Sequence, residues 1–203
     1  MIKLLRRFGF GNRKQPITIV SGLPRSGTSL MMSILSAGGL QVLTDNQRQP
    51  DTDNPKGYFE FERAKQLTQG DTDWLEHVDG KVVKIISALL MHLPDSFDYR
   101  VIFMRRNMNE IIESQRKMLV RRNEMGDNHD EEKLKQLYSD HLENVSRWFQ
   151  SQENVRSIEL NYNELVENPA ENLDAIERFL YQSFNTNAAI EVVDPNLYRN
   201  RAQ

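Results

Sequence analysis

An apolar run that passes straight into a glycine-bounded loop and then into a helical pattern constrains this chain more than any other feature. Ile17 to Ser21 is apolar apart from Thr18 and Ser21, which suits a strand buried on both faces. Gly22-Leu23-Pro24-Arg25-Ser26-Gly27-Thr28-Ser29 follows at once. From Thr28 to Ala37, the residues Leu30, Met31, Ile34 and Leu35 recur at helical spacing. Gly38-Gly39 then ends the helix. A glycine loop between a strand and a helix turns its backbone amides toward one point, and the helix N-terminus adds partial positive charge there. Such a unit binds an anion.

The remaining pattern alternates in the same way. Leu40 to Leu43 reads as a short strand, Thr44 to Tyr58 as a polar loop with Pro50, Pro55 and Gly57, and Phe59 to Gln69 as a helix. Strands are expected at Val82 to Ile86, Tyr99 to Met104 and Val155 to Leu160. Helices are expected at Asn107 to Met125, Asp130 to Gln150 and Pro169 to Tyr181, the first two separated by Gly126-Asp127-Asn128. Strands alternating with helices predict an α/β fold: three layers of P-loop-like type, a central parallel sheet flanked by helices. Ligands then sit at the carboxyl ends of the strands. Residues 16–203 are expected to form one domain, and residues 1–15 (MIKLLRRFGFGNRKQ) a basic leader. That leader lacks the long apolar stretch of a signal peptide, and reads as a frayed end or a membrane-touching tip.

Composition excludes several function classes. The chain of 203 residues carries 26 basic and 29 acidic residues, a net charge of −3, so nothing draws it as a whole to nucleic acid or an anionic membrane. It has no cysteine, which removes thiolate catalysis, disulfides and cysteine metal sites. His77, His92, His129 and His141 show no ligand spacing, so no metal is expected. No apolar run approaches the ~20 residues of a transmembrane span, and a cytoplasmic location is expected.

The loop differs from one that binds nucleoside triphosphate. In that type a lysine follows the second glycine; here Thr28 stands there and the positive charge lies inside the loop, at Arg25. A magnesium-binding strand end would carry aspartate. The strand from Tyr99 ends instead in Arg105-Arg106-Asn107, which repels a metal and attracts a phosphate. Ser114 follows Arg106 by about two helical turns.

Pro24-Arg25-Ser26-Gly27-Thr28-Ser29-Leu30 resembles the 5′-phosphosulfate loop of sulfotransferases, in the form that carries arginine in place of the cytosolic enzymes' lysine. Arg106, Glu110 and Ser114 resemble that family's 3′-phosphate motif, and Leu160 to Leu180 a further family segment. The resemblance implies transfer of a sulfuryl group from 3′-phosphoadenosine 5′-phosphosulfate (PAPS), the co-substrate, to a hydroxyl or amine without a metal. It implies that Arg25, Ser26, Gly27, Thr28 and Ser29 hold the 5′ end, Arg106 and Ser114 the 3′-phosphate, and Tyr162 the adenine or simply the packing of its turn. Glu110 stands where the family has aspartate and is expected to leave the phosphate contacts untouched.

Lys84, in a buried strand, either faces the phosphosulfate or reaches out to water. Asn54-Pro55-Lys56-Gly57-Tyr58-Phe59-Glu60 resembles a segment of bacterial relatives. Glu60 is the first candidate general base or else a helix cap; Asp45 is the second, and His92 matches no motif. The tail residues Arg199 and Arg201 are candidates to cover the nucleotide. Arg116, Lys117, Arg121 and Arg122 read as a solvated helix face. Two rivals remain at this point: a P-loop kinase of small molecules and a catalytically inactive nucleotide-binding protein. The acceptor and the oligomeric state stay open.

Overall fold

The computed structural model describes residues 15–45, 47–51, 57–78, 80–124 and 130–194. The leader 1–14, the break at Gly126-Asp127-Asn128, Asn54-Pro55-Lys56 and the tail arginines Arg199 and Arg201 lie outside the described residues.

Five strands form one sheet: β1 (Ile17–Gly22), β2 (Gln41–Leu43), β3 (Lys81–Lys84), β4 (Tyr99–Arg105) and β5 (Val155–Asn161). They lie in the order β2-β3-β1-β4-β5, and every neighbouring pair is parallel. The helices are α1 (Thr28–Ala37), α2 (Met108–Arg121), α3 (Glu131–Ser151), α4 (Tyr162–Glu167), α5 (Pro169–Leu180) and α6 (Thr186–Glu191). Three 3-10 segments, Glu62–Gln69, Asp73–His77 and Ser87–His92, lie on the path into and out of β3.

Alternation along the strands divides the core into two layers. Val20, Val82, Ile102 and Met104 face one cluster, built with Met31, Ile34 and Leu35 of α1 and Leu173 and Ile176 of α5. Ile19, Val83, Val101 and Phe103 face the other, with Trp74, Leu75, Leu90 and Val145. Both sheet faces are therefore covered, as a parallel sheet requires.

Two helical expectations are revised. Phe59 to Gln69 is extended at its start and becomes 3-10 only from Glu62; Phe59 sits at φ 52°, outside the helical basin. The turn after β5 is a helix, α4, because the Asn161 side chain accepts from the amides of Asn163 and Glu164 and caps it.

Register decides where the site falls. Gly22 of β1 stands opposite Met104 of β4, and Val20 stands opposite Lys84 of β3. The glycine loop, Arg105-Arg106 and the end of β3 thus emerge side by side at the carboxyl edge.

Candidate active site

The loop after β1 is held by its own side chains. The Ser26 amide and hydroxyl both donate to the Leu23 carbonyl, at 3.2 and 2.7 Å. Arg25 takes φ 70°, a left-handed conformation that costs a non-glycine residue about 1–3 kcal/mol unless neighbours enforce it. Two bonds do so. Arg106 Nη1 donates to the Arg25 carbonyl at 3.1 Å, and Arg25 Nε donates to Ser114 Oγ at 3.0 Å. Gly27 has φ 101°, and a Cβ there would lie 2.4 Å from Tyr162 Cδ2. The Tyr162 ring therefore rests directly on the loop backbone.

Arg106 is tied on several sides. Its Nε donates to Glu110 Oε2 at 2.9 Å, one turn into α2, and its guanidinium lies 4.3 Å from the centre of the Tyr162 ring. Glu110 is only 3% exposed, and its other oxygen accepts from Asn163 Nδ2 at 3.0 Å. Glu110 is thus no bystander: it aims the arginine. Burial pushes the Tyr162 phenol up, against the nearby Arg106 charge, so the ring stays neutral.

On the opposite side of the loop stands Lys84, 8% exposed. Its ammonium donates to the Tyr58 carbonyl and to Ser29 Oγ at 3.4 Å, and lies 4.0 Å from Glu60 Oε1. Burial pushes its pKa down to about 8, with Glu60 opposing and Arg48 and Lys65 adding to the shift. Glu60 is ringed by cations: Arg48 Nη1 at 2.7 Å and Lys65 Nζ at 3.3 Å as well. Asp45 does different work. Its Oδ2 accepts from the Glu62 amide at 2.6 Å and its Oδ1 from the Gln47 amide at 3.0 Å, so it caps the 3-10 segment. Burial would raise its carboxyl, but these amides and Lys65 hold it below the usual range.

Arg25, Glu60, Lys84, Arg106 and Tyr162 border a cavity of about 580 Å³. Among the described residues, its wall carries eight cationic side chains and two carboxylates, Glu60 and Asp194, in a chain whose net charge is −3. The positive charge that composition hides is gathered here, which suits a polyanionic ligand. Among the described residues no cluster of histidine and carboxylate side chains could hold a metal ion.

The sulfotransferase domain model matches residues 15–200. The chain belongs to the sulfotransferase family. Among solved structures, this sulfotransferase is similar to the sulfotransferase domain of the Synechococcus PCC 7002 olefin synthase, at 17% identity and TM-score 0.54, covering 97% of this chain and 88% of that one. It is also similar to mouse sulfotransferase SULT7A1 complexed with PAP, at 14% identity and TM-score 0.55, covering 95% and 68%. A sulfotransferase from Alicyclobacillus acidocaldarius matches at 16% identity and TM-score 0.50, covering 90% and 88%. At these identities the likeness speaks for the fold alone. No curated protein matches the sequence.

Most residues singled out in the sequence of this sulfotransferase meet at the cavity. Arg25, Gly27, Thr28, Ser29, Glu60, Lys84, Arg106, Ser114 and Tyr162 all line it. Ser26 and Asp45 do not: the Ser26 hydroxyl is turned beneath Gly22, and both Asp45 oxygens hold backbone amides. His92 ends the third 3-10 segment and is also off the wall. The cations at the end of α2 do more than expected. Lys117, Arg121 and Arg122, expected on a solvated face, are exposed and also line the cavity with Arg48. A charged helix face has the same sequence pattern whether it looks at water or into a cleft. Gln115, next to Ser114, was also missed; its buried Oε1 has no hydrogen-bond partner among the described residues. Among the described residues no helix is long and apolar enough to cross a membrane.

Proposed function

We propose that this sulfotransferase transfers a sulfuryl group from PAPS to an acceptor hydroxyl or amine. The observation that carries the reading is the convergence of Arg25, Lys84, Arg106 and Ser114 around one loop, with Arg106 bonded to the Arg25 carbonyl. A ligand anionic at both its 5′ and 3′ ends would meet a cation at each. Mouse SULT7A1 is complexed with PAP in a solved structure, and PAP is the nucleotide that PAPS leaves after sulfuryl transfer, which supports PAPS as the co-substrate.

When bound, PAPS supplies the sulfuryl group and a nucleoside bisphosphate leaving group. The amides of Gly27, Thr28 and Ser29 hold the 5′ end at the N-terminus of α1. Arg106 and the Ser114 hydroxyl hold the 3′-phosphate, and Tyr162, fixed between Arg106 and Gly27, flanks the adenosine. Arg25 and Lys84 stabilise negative charge on the sulfuryl oxygens and the departing phosphate oxygen. Glu60 takes the acceptor's proton as the oxygen–sulfur bond forms and the sulfur–phosphate oxygen bond breaks. Glu60 is favoured over Asp45 because it faces the cavity within reach of Lys84, whereas Asp45 is engaged by two amides.

The test is transfer of radioactive sulfur from labelled PAPS to a panel of alcohols, phenols and amines, with and without magnesium. The reading predicts label in an acceptor product and no need for magnesium. Label released only as inorganic sulfate, or none moved from PAPS while phosphate moves from ATP, contradicts it.

A further inference from the structure

Resting on the PAPS reading, we infer that the acceptor of this enzyme is itself an anion: a hydroxyl compound that already carries a phosphate or carboxylate group. The cavity wall holds more cationic side chains than the proposed contacts to the co-substrate use. Arg25, Lys84 and Arg106 surround the loop. A second group, Arg48, Lys65, Lys117, Arg121 and Arg122, lines the same cavity beyond them.

The second group forms one wall. Lys117 and Arg121 follow Ser114 at three and seven positions along α2, on one helix face, about 4.5 and 10.5 Å further along the axis. Arg122 Nη2 lies 3.6 Å from Asp51 Oδ2, and Asp51 accepts from the Tyr58 hydroxyl at 2.7 Å. Arg48 lies 3.3 Å from the centre of the Tyr58 ring and pairs with Glu60. The end of α2 is thus joined to the segment that carries Glu60 and binds Lys84. This is the side of the cavity on which Lys84 stands, the sulfuryl side in the PAPS reading.

The partners of these cations stand behind them. Glu113 pairs with Lys117 at 3.3 Å, Asp51 with Arg122, and Glu62 with Lys65 at 2.6 Å, yet Glu113, Asp51 and Glu62 are not on the cavity wall. Among the described residues, the carboxylates that face the same space are Glu60, the proposed base, and Asp194. Cations that line a cavity yet stay open to solvent, as Lys65 and Lys117 do at 52% and 47% exposure, and whose carboxylate partners lie off the wall, can bond an incoming oxyanion. Between them lie Phe61, Ile86, Leu89 and Met118; Ile86 is 44% exposed. An apolar ring or short chain bearing the anion fits that floor.

Calorimetry on the full chain tests this. The nucleotide 3′,5′-ADP is titrated first, and the saturated protein is then titrated with hydroquinone, 4-hydroxyphenyl phosphate and 4-hydroxyphenylacetate. At least one anionic probe is expected to bind about tenfold or more tightly than hydroquinone, since charge-assisted bonds carry that much; the tighter of the two names the anion. The preference is expected to vanish in Arg121→Gln/Arg122→Gln and to shrink in Lys117→Gln, with 3′,5′-ADP affinity changed less than about threefold. Equal binding of all three probes, or a preference that survives in both variants, overturns the inference. Failure of 3′,5′-ADP to bind in the first titration removes the PAPS reading and this inference together, and so is distinguished from failure of the acceptor assignment alone.

Discussion

Arg25 Nε donates to Ser114 Oγ across 3.0 Å, joining residues 89 positions apart in the chain. One belongs to the loop after β1, the other to the second turn of α2. The bond keeps the loop arginine on the α2 side of the cavity while its φ of 70° is held from below by Arg106. Arg25→Ala is therefore expected to lower turnover by roughly two orders of magnitude or more, because it removes a charge aimed at the transition state. Initial rates with labelled PAPS check it, and a rate within a few-fold of wild type rejects the role.

Arg106 carries a structural debt as well as a ligand role. Its removal strands Glu110, a carboxylate 3% exposed, and breaking a buried pair costs about 3–5 kcal/mol. Arg106→Ala is expected to lose stability of that order in urea unfolding, and to bring the affinities for 3′,5′-ADP and AMP close together. Arg106→Ala/Glu110→Ala is expected to regain part of the stability and none of the nucleotide discrimination. A double variant no more stable than the single one contradicts the pairing argument.

Lys84 sets a pH limit. Its pKa is pushed down to about 8 by burial, and only the charged form attracts the sulfuryl oxygens. The ratio kcat/KM for PAPS, which reports the free enzyme, is expected to fall above about pH 8, and Lys84→Arg to move that fall to higher pH. The sign for stability is opposite. Between pH 8 and the ordinary lysine value of 10.5, the unfolded chain binds more protons than the folded one, so Lys84's penalty is complete below pH 8 and lifts as pH rises. At pH 7, Lys84→Met is expected to unfold at the same or higher temperature, by up to ~3 kcal/mol, while losing most turnover. A lower melting temperature contradicts this.

Gly27 tests the seat of Tyr162. A Cβ would approach Tyr162 Cδ2 to 2.4 Å, and φ is 101°. Gly27→Ala is expected to abolish measurable 3′,5′-ADP binding and to destabilise the fold by about 1–3 kcal/mol. Adding Tyr162→Ala relieves the clash but not the backbone strain, so it is expected to restore only part of the stability. Near-normal nucleotide binding by Gly27→Ala contradicts the close seating of the ring.

The sheet and the loop were legible because burial on both faces leaves unbroken apolar runs. Thr28–Ala37 was found residue for residue, since a loop glycine starts it and Gly38-Gly39 stops it. Other features depend on direction, which a sequence does not carry. The residues before Glu62 look helical, yet Phe59 turns the chain at φ 52° and delivers Glu60 to Lys84. Ser26 belongs to the loop motif, but its hydroxyl is turned inward to the Leu23 carbonyl. Lys117, Arg121 and Arg122 are exposed, as their pattern indicates, but their place on a cavity wall comes from the tertiary fold, in which Arg122 meets Asp51 and Asp51 accepts from the Tyr58 hydroxyl. Asn161 capping of α4 was visible in principle, as an asparagine three positions before Glu164.

The most direct measurement is the structure of the complex with 3′,5′-ADP. The account predicts the 5′-phosphate on the amides of Gly27 to Ser29 and the 3′-phosphate within hydrogen-bond distance of both Arg106 and Ser114. A 3′-phosphate pointing to solvent with Arg106 still closed on Glu110, or a metal-bound triphosphate occupying the loop in preference to 3′,5′-ADP, would contradict it.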